Sequence, residues 1–315
     1  MTRNFRIGAR ASPLSMTQAR RVQARIAEAL KIEPADQDHR VPIFPTVTTG
    51  DKITDRRLIE AGGKGLFTKE LDEALLDQRI DLAVHSMKDL PTRLPAGIAL
   101  ACVPERADVR DAFISVKART IDDLPAGAVV GTASLRRQAQ LLHARPDLVV
   151  KTLRGNVETR LRKIEEGEFD ATFLALAGLQ RLGLDNRVAS LLDPIAMPPA
   201  AGQGALCITT RTEDAEMRSI LEALEDTTGA IETAAERAFL AALDGSCRTP
   251  IAAHARLDDD GLFFIGEALT PDGRQCWRRT EKIVRSADML GAAITLGDRL
   301  GRSIRAEAGD KIVHD

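Results

Sequence analysis

Along most of the chain, short apolar runs of strand character alternate with stretches whose apolar residues recur every three or four positions. Residues 4–9 read as a strand, after which Ser12 can cap a helix that begins at Pro13 and turns Val22, Ile26 and Leu30 to one side. A side-chain oxygen at the cap satisfies a free helix N–H, and proline's fixed φ suits the first helical position. A helix with Phe67, Leu71, Ala74 and Leu75 on one face precedes a strand at 80–85. Strands at 128–132, 148–153 and 171–175 are followed by helices starting at Ser134, at Asn156 and near Gly178. Strand-helix alternation of this kind implies largely parallel sheets with helices on both faces.

The pattern changes after about residue 225. A helix at 230–243 precedes segments broken at Asp258-Asp259-Asp260-Gly261 and Pro271-Asp272-Gly273, which are hairpin turn signals, and a last helix spans 287–305. Proline and glycine cluster at 104–111 and 194–204, the expected crossovers between lobes. A length of 315 residues suits two or three domains. The expected division is 1–104 with 200–222 as one α/β domain, 105–199 as a second, and 223–315 as a small α+β domain with an antiparallel sheet.

Composition narrows the function. A net charge of −2 supplies no general field for nucleic acid, and 3% aromatic residues leave few platforms for stacked bases. The N-terminal stretch lacks the apolar run of a secretory signal, and no segment is long and apolar enough for a membrane span, so a cytosolic protein is expected. The four cysteines form no Cys-x-x-Cys pair and the five histidines show no ligand spacing. Reduced thiols and no metal are therefore expected.

In open α/β sheets ligands sit beyond the carboxyl ends of the strands, where helix N-termini offer free N–H groups. Several arginines fall at these joints. Arg10 and Ser12 follow the first strand. Thr132, Ser134, Arg136 and Arg137 share one turn, and Arg154 and Arg160 flank the helix start beyond Gly155. Guanidinium forks grip carboxylates or phosphates in bidentate fashion, so this set suggests a ligand with many acid groups. The same arginines read alternatively as solvated surface residues or as ion partners of Glu158 and Asp147.

Ser86, Lys88 and Asp89 end the strand at 80–85. A carboxylate beside Lys88 stays ionised, which suits stabilising a cation. Equally, Asp89 reads as a turn cap before Leu90 and Pro91. The glycines around Lys64 lack the Ser or Thr of a phosphate loop and suit a mobile lid that brings Lys64 to an anion. Cys102 and Cys207 lie in apolar runs as core residues, and Cys276 falls in the hairpin region. Cys247, in a post-helix loop with Arg248 beside it to favour the thiolate, is the nucleophile candidate.

Taken together, seven segments in register resemble the porphobilinogen deaminase (hydroxymethylbilane synthase) family. They are Ala9-Arg10-Ala11-Ser12-Pro13-Leu14, Gly62-Gly63-Lys64-Gly65-Leu66-Phe67, Val84-His85-Ser86-Met87-Lys88-Asp89, Gly131-Thr132-Ala133-Ser134-Leu135-Arg136-Arg137, Leu153-Arg154-Gly155-Asn156, Gly202-Gln203-Gly204 and Gly245-Ser246-Cys247. The resemblance implies a dipyrromethane cofactor held by a thioether at Cys247, on which porphobilinogen units are joined head to tail before hydrolysis releases hydroxymethylbilane. It assigns Asp89 to ammonia loss and to the cationic species that results. Arg10, Ser12, Ser86, Lys88, Thr132, Ser134, Arg136, Arg137, Arg154, Arg160 and Arg181 match positions that hold acetate and propionate groups. Gln203 also lines the site, Lys64 and Phe67 match a mobile loop, and a monomer is implied. Ala133 and Ser246 depart from a serine and a glycine common in the family, and the segment at 33–45 is longer than usual.

The competing reading is a solute-binding protein, since two α/β lobes around an arginine-lined cleft resemble the periplasmic-binding-protein class. The missing signal segment and a third domain bearing Cys247 count against it. A DNA-binding regulator lacks its N-terminal basic helix-turn-helix.

Overall fold

The computed structural model describes residues 3–52, 65–245 and 249–312. In chain order the elements are β1 (Ile7–Arg10), α1 (Pro13–Ala29), α2 (Gln37–Arg40), β2 (Ile43–Thr46), α3 (Thr49–Lys52), α4 (Lys69–Leu76), β3 (Leu82–Ser86), β4 (Ile98–Cys102), β5 (Asp111–Ile114), β6 (Val129–Gly131), α5 (Leu135–Ala144), β7 (Val149–Lys151), α6 (Val157–Glu165), β8 (Ala171–Ala175), α7 (Leu176–Leu182), β9 (Ser190–Leu191) and β10 (Leu206–Arg211). They continue with α8 (Ala215–Glu222), α9 (Thr227–Ala242), β11 (Ile251–Asp258), β12 (Gly261–Leu269), β13 (Cys276–Val284) and α10 (Met289–Ala308). The local capping rules hold at three joints. Ser12, Ser134 and Asn156 each take extended backbone and accept a hydrogen bond from the N–H three residues on.

The chain divides into two compact units. Of the described residues, the first takes 3–52, 65–107 and 205–230. Its sheet has the order β2-β1-β3-β10-β4. β1 runs parallel to β2 and β3, while β10 runs antiparallel to β3 and β4. Ile7, Val22, Ile26, Leu82, Ile208 and Leu221 share one core beneath it. Pro45 sits in β2 at the sheet edge, where a strand tolerates a residue without an N–H. The long segment 33–45 is thereby used as a short helical turn, α2 and most of this edge strand.

Of the described residues, the second unit takes 108–204, 231–245 and 249–312. One of its sheets, β7-β6-β8-β5-β9, mirrors the first in logic: β6 is parallel to β7 and β8, and β5 is antiparallel to β8 and β9. Its other sheet, β11-β12-β13, is antiparallel throughout. In both five-stranded sheets a single strand opposes the rest, so the fold is the mixed, mostly parallel α/β arrangement with a small α+β part that the sequence pattern implies. β7 stops at Lys151, short of the expected 153, because Leu153 leaves the strand to fill a core with Ile114, Leu161 and Leu179.

α10 lies directly on α9. A Cβ at Gly297 would stand 2.1 Å from the Ala235 carbonyl oxygen and 3.0 Å from the Phe239 amide nitrogen, both backbone atoms that cannot swing aside. Gly297→Ala is therefore expected to cost about 1–3 kcal/mol, the usual range for overpacking. Urea unfolding should show a lower midpoint at unchanged slope; an unchanged midpoint would mean that the helix contact yields.

Candidate functional site

In the first unit, adjacent parallel strands β1 and β3 end side by side and deliver the charged residues. Arg10 closes β1, and Asp89 ends the single 3-10 turn after β3. Arg10 Nη1 stands 3.9 Å from Asp89 Oδ2, and the Asp89 side chain remains 28% exposed, so the carboxylate is open to a ligand. Arg10 is held from two other directions. Its Nε donates to Asp51 Oδ2 at 3.3 Å and its Nη2 to Asp51 Oδ1, while its Cζ lies 4.1 Å from the centre of the Phe67 ring. Asp51 is fixed in turn by the Thr48 amide and hydroxyl at 3.2 and 2.7 Å. Burial alone would raise the Asp51 carboxyl; Arg10 and Thr48 outweigh it and hold it below the usual range.

Ser12 spends its hydroxyl on Ser15, and Ser86 accepts a 3.1 Å hydrogen bond from buried Gln18. Lys88 is half-buried. His85 is buried against the Thr209 hydroxyl at 3.0 Å. Burial, with Arg10 nearby, pushes its imidazole down to about 4, so it is neutral at pH 7 and no proton donor there.

The second unit gathers Arg136 and Arg137 around one buried carboxylate. Asp111, at the start of β5, accepts from Arg136 Nη2 at 2.8 Å, Arg137 Nη2 at 2.7 Å and Gln203 Nε2 at 2.8 Å. The remaining η groups turn inward as well: Arg136 Nη1 donates to the Pro198 carbonyl at 3.1 Å and Arg137 Nη1 to the Phe173 carbonyl at 2.9 Å. The alternative reading of these arginines as surface residues, or as partners of Glu158 and Asp147, does not hold for this pair. Both are at most 6% exposed, and Asp147 pairs with Arg145. Each keeps a buried Nε with no hydrogen-bond partner. An orphaned buried donor costs about 1–3 kcal/mol, so each Nε is a polar group that the protein itself leaves unsatisfied.

Thr132 accepts from the Ser134 amide at 3.1 Å, and Ser134 from the Arg137 amide at 3.4 Å, which fixes this turn. Half-buried Arg154 precedes Gly155, whose φ of 122° favours glycine and whose carbonyl accepts from Arg160 Nε at 2.9 Å. Arg181 donates to the Gly204 carbonyl at 2.7 Å. Gln203 is 1% exposed and braces Asp111. Lys64 and Cys247 lie outside the described residues. Asp51, Asp111 and Gln18 escaped the sequence reading, because no local motif marks a carboxylate or amide whose partner is distant in the chain. Among the described residues no cluster of His, Cys, Asp or Glu could hold a metal ion, and no helix is long and apolar enough to cross a membrane.

Burial opposes ionisation of Asp111, but Arg136 and Arg137 together hold its carboxyl far below the usual range. A depressed folded-state value contributes stability above the unfolded-state value of about 4, and that contribution fades as pH falls toward the folded one. Asp111→Asn should therefore cost about 3–5 kcal/mol at pH 7, because it leaves two buried cations short of a counter-charge. Urea midpoints of wild type and variant should converge as pH drops below about 4. A gap that stays constant with pH would contradict the assignment.

A family model described as porphobilinogen deaminase, dipyromethane cofactor binding domain, matches residues 5–219, and one described as porphobilinogen deaminase, C-terminal domain, matches 230–306. Relatives named porphobilinogen deaminase include one from Caulobacter sp. (strain K31), 56% identical over 98% of each chain, and one from Phenylobacterium zucineum (strain HLK1), 54% identical over 98% of each. Another, from Nitrobacter hamburgensis, is 50% identical over 97% of this chain and 94% of its own. Among solved structures, the methionine binding protein MetQ matches at a TM-score of 0.44 with 12% identity, covering 71% of this chain and 91% of that one, too distant to bear on the site.

Proposed function

We infer the function from one premise, that the chain belongs to the porphobilinogen deaminase family. It is a transferase of tetrapyrrole biosynthesis that condenses four porphobilinogen molecules, with loss of four ammonia, and releases hydroxymethylbilane by hydrolysis. Its cofactor is dipyrromethane, which supplies when bound an electron-rich pyrrole carbon to which the first unit is joined. The orphaned Nε donors of Arg136 and Arg137 support a fit to such a group, since its acetate and propionate oxygens are the acceptors these donors lack.

The observation that carries the catalytic assignment is the pairing of Arg10 and half-exposed Asp89, 3.9 Å apart at the ends of adjacent strands. One cation and one anion at that spacing read the two ends of an incoming porphobilinogen. Arg10 takes a side-chain carboxylate by an η nitrogen, while Asp51 and Phe67 keep the guanidinium from turning. Asp89 faces the positive charge that spreads over the pyrrole as the protonated aminomethyl group leaves as ammonia. A fixed carboxylate there stabilises the developing cation without reorganising solvent. It also orients the pyrrole N–H by accepting from it. Neutral His85 behind it takes no part in proton donation and seats the strand end through Thr209.

Ser12, Ser86 and Lys88 belong to the same carboxylate-binding set, and Thr132, Ser134, Arg154, Gly155, Arg160, Arg181 and Gln203 to the set of the second unit. Some of these act by building the turn rather than by touching a ligand: Ser134 through the Arg137 amide, Gly155 through Arg160, and Gln203 through Asp111. Cys247 carries the thioether, and Lys64 and Phe67 serve the loop that covers the site. The domains at 1–104 with 200–222, 105–199 and 223–315 then divide the work between catalysis, carboxylate binding and cofactor attachment. The enzyme works as a cytosolic monomer without a metal.

Asp89→Asn keeps the shape of the side chain and removes its charge. Porphobilinogen consumption should fall by about 100-fold or more, the loss usual when a charge-stabilising group is removed, with the thermal midpoint held. Turnover within a fewfold of wild type would take Asp89 out of the chemistry.

A further inference from the structure

One buried carboxylate has no part in the reaction just described. Glu267, in the middle of β12, is 1% exposed. Its Oε2 accepts from Arg278 Nε at 2.7 Å, and its Oε1 accepts from Gln140 Nε2 at 2.9 Å. Gln140 lies on α5, 6% exposed. The same Nε2 donates to the Pro198 carbonyl at 2.9 Å, and Gln140 Oε1 accepts from Arg136 Nη1 at 2.8 Å. Arg136 Nη2 then reaches Asp111. An unbroken line of hydrogen bonds thus runs from β13 through β12 and α5 to the arginine pair, with the 194–204 crossover clasped between. Its polarity is forced, because a flipped Gln140 amide would set NH₂ against a guanidinium and a carbonyl against a carboxylate.

We propose that Gln140 and Glu267 are positioning residues for the carboxylate site: with the Pro198 carbonyl they hold Arg136 Nη1 and so fix the plane of its guanidinium, whose Nε has no partner within the protein. The proposal rests on the reading that Arg136 holds a carboxylate of the cofactor. The clamp uses up both η nitrogens, one on the crossover and Gln140 and one on Asp111. Nε is left as the donor without a partner. Without Gln140 and Glu267, Arg136 keeps Asp111 on Nη2 and Pro198 on Nη1, but Pro198 loses its second donor and Nη1 its second acceptor, so the guanidinium plane is held less tightly.

The test uses full-length chains expressed where no porphobilinogen is made, so that they start without an adduct. Each is incubated with porphobilinogen, and covalent loading is followed by denatured intact mass alongside the thermal midpoint. Gln140→Glu puts a second carboxylate against Glu267 and should slow loading by about tenfold, the scale of one lost hydrogen bond to a charged group. Gln140→Glu combined with Glu267→Gln keeps an acceptor for Arg136 and restores an amide donor opposite it, leaving only the Pro198 carbonyl without its Gln140 partner, and should recover loading to within about threefold of wild type. Steady-state assays of the loaded enzymes should show little change in KM, because substrate capture lies with Arg10 and not with this clamp. If Gln140→Glu does not fold, Glu267→Gln alone should load several-fold more slowly at a midpoint near wild type. Loading at the wild-type rate in Gln140→Glu, or a double variant as slow as the single one at a wild-type midpoint, would overturn the clamp. Failure of the wild-type chain to load would instead defeat the parent reading, and the clamp with it.

Discussion

Asp111 has no exposed side-chain atom and still carries a charge, held by two guanidiniums that are themselves buried. Taking three charges out of water costs several kcal/mol per ion, and apolar residues of the same volume often serve stability as well or better. The cluster therefore makes more sense as a jig than as a brace. It binds the start of β5, the first turn of α5, the middle of β8 at the Phe173 carbonyl, and the loop at Gln203. The two ε nitrogens it leaves without partners are then held at a defined place.

The two units solve related problems by different means. In the first, Arg10 is partly exposed, stacked on Phe67 and tied to Asp51, with one η nitrogen near an open carboxylate. That arrangement suits a substrate that comes and goes. In the second, Arg136 and Arg137 are immobilised through their η groups, and their ε nitrogens have no partner within the protein. That arrangement suits a group that stays. Porphobilinogen deaminase chemistry requires both, because each unit must arrive and react while the primer remains bound. Burial also sorts the cysteines: Cys102 is pushed well above the usual thiol range and Cys276 up to about 12, so neither supplies a thiolate near neutral pH.

Much of this was legible where the physics is local. The caps at Ser12, Ser134 and Asn156 and the parallel order of β6, β7 and β8 follow from residues a few positions apart. The run around Cys207 was legible as apolar and as part of the first domain, but its pairing was not, because its partners β3 and β4 lie more than a hundred residues earlier. At the site, the charged turns were visible and the direction of the charges was not. Arg136 and Arg137 read as ligand forks from spacing, yet their η nitrogens point to Asp111, 25 and 26 positions away. Gln140 and Glu267, 127 positions apart, carry no pattern at all until the fold brings them together.

The central claim is that this chain builds on a primer it carries covalently, at Cys247. The most direct measurement is the denatured intact mass of the purified wild-type chain beside that of Cys247→Ser, since a thioether survives denaturation and a merely bound ligand does not. The account predicts that the wild type exceeds its sequence mass by two linked pyrrole units and that the variant matches its own sequence mass. Identical behaviour of the two chains, both bare after incubation with porphobilinogen or both carrying the adduct, would contradict it.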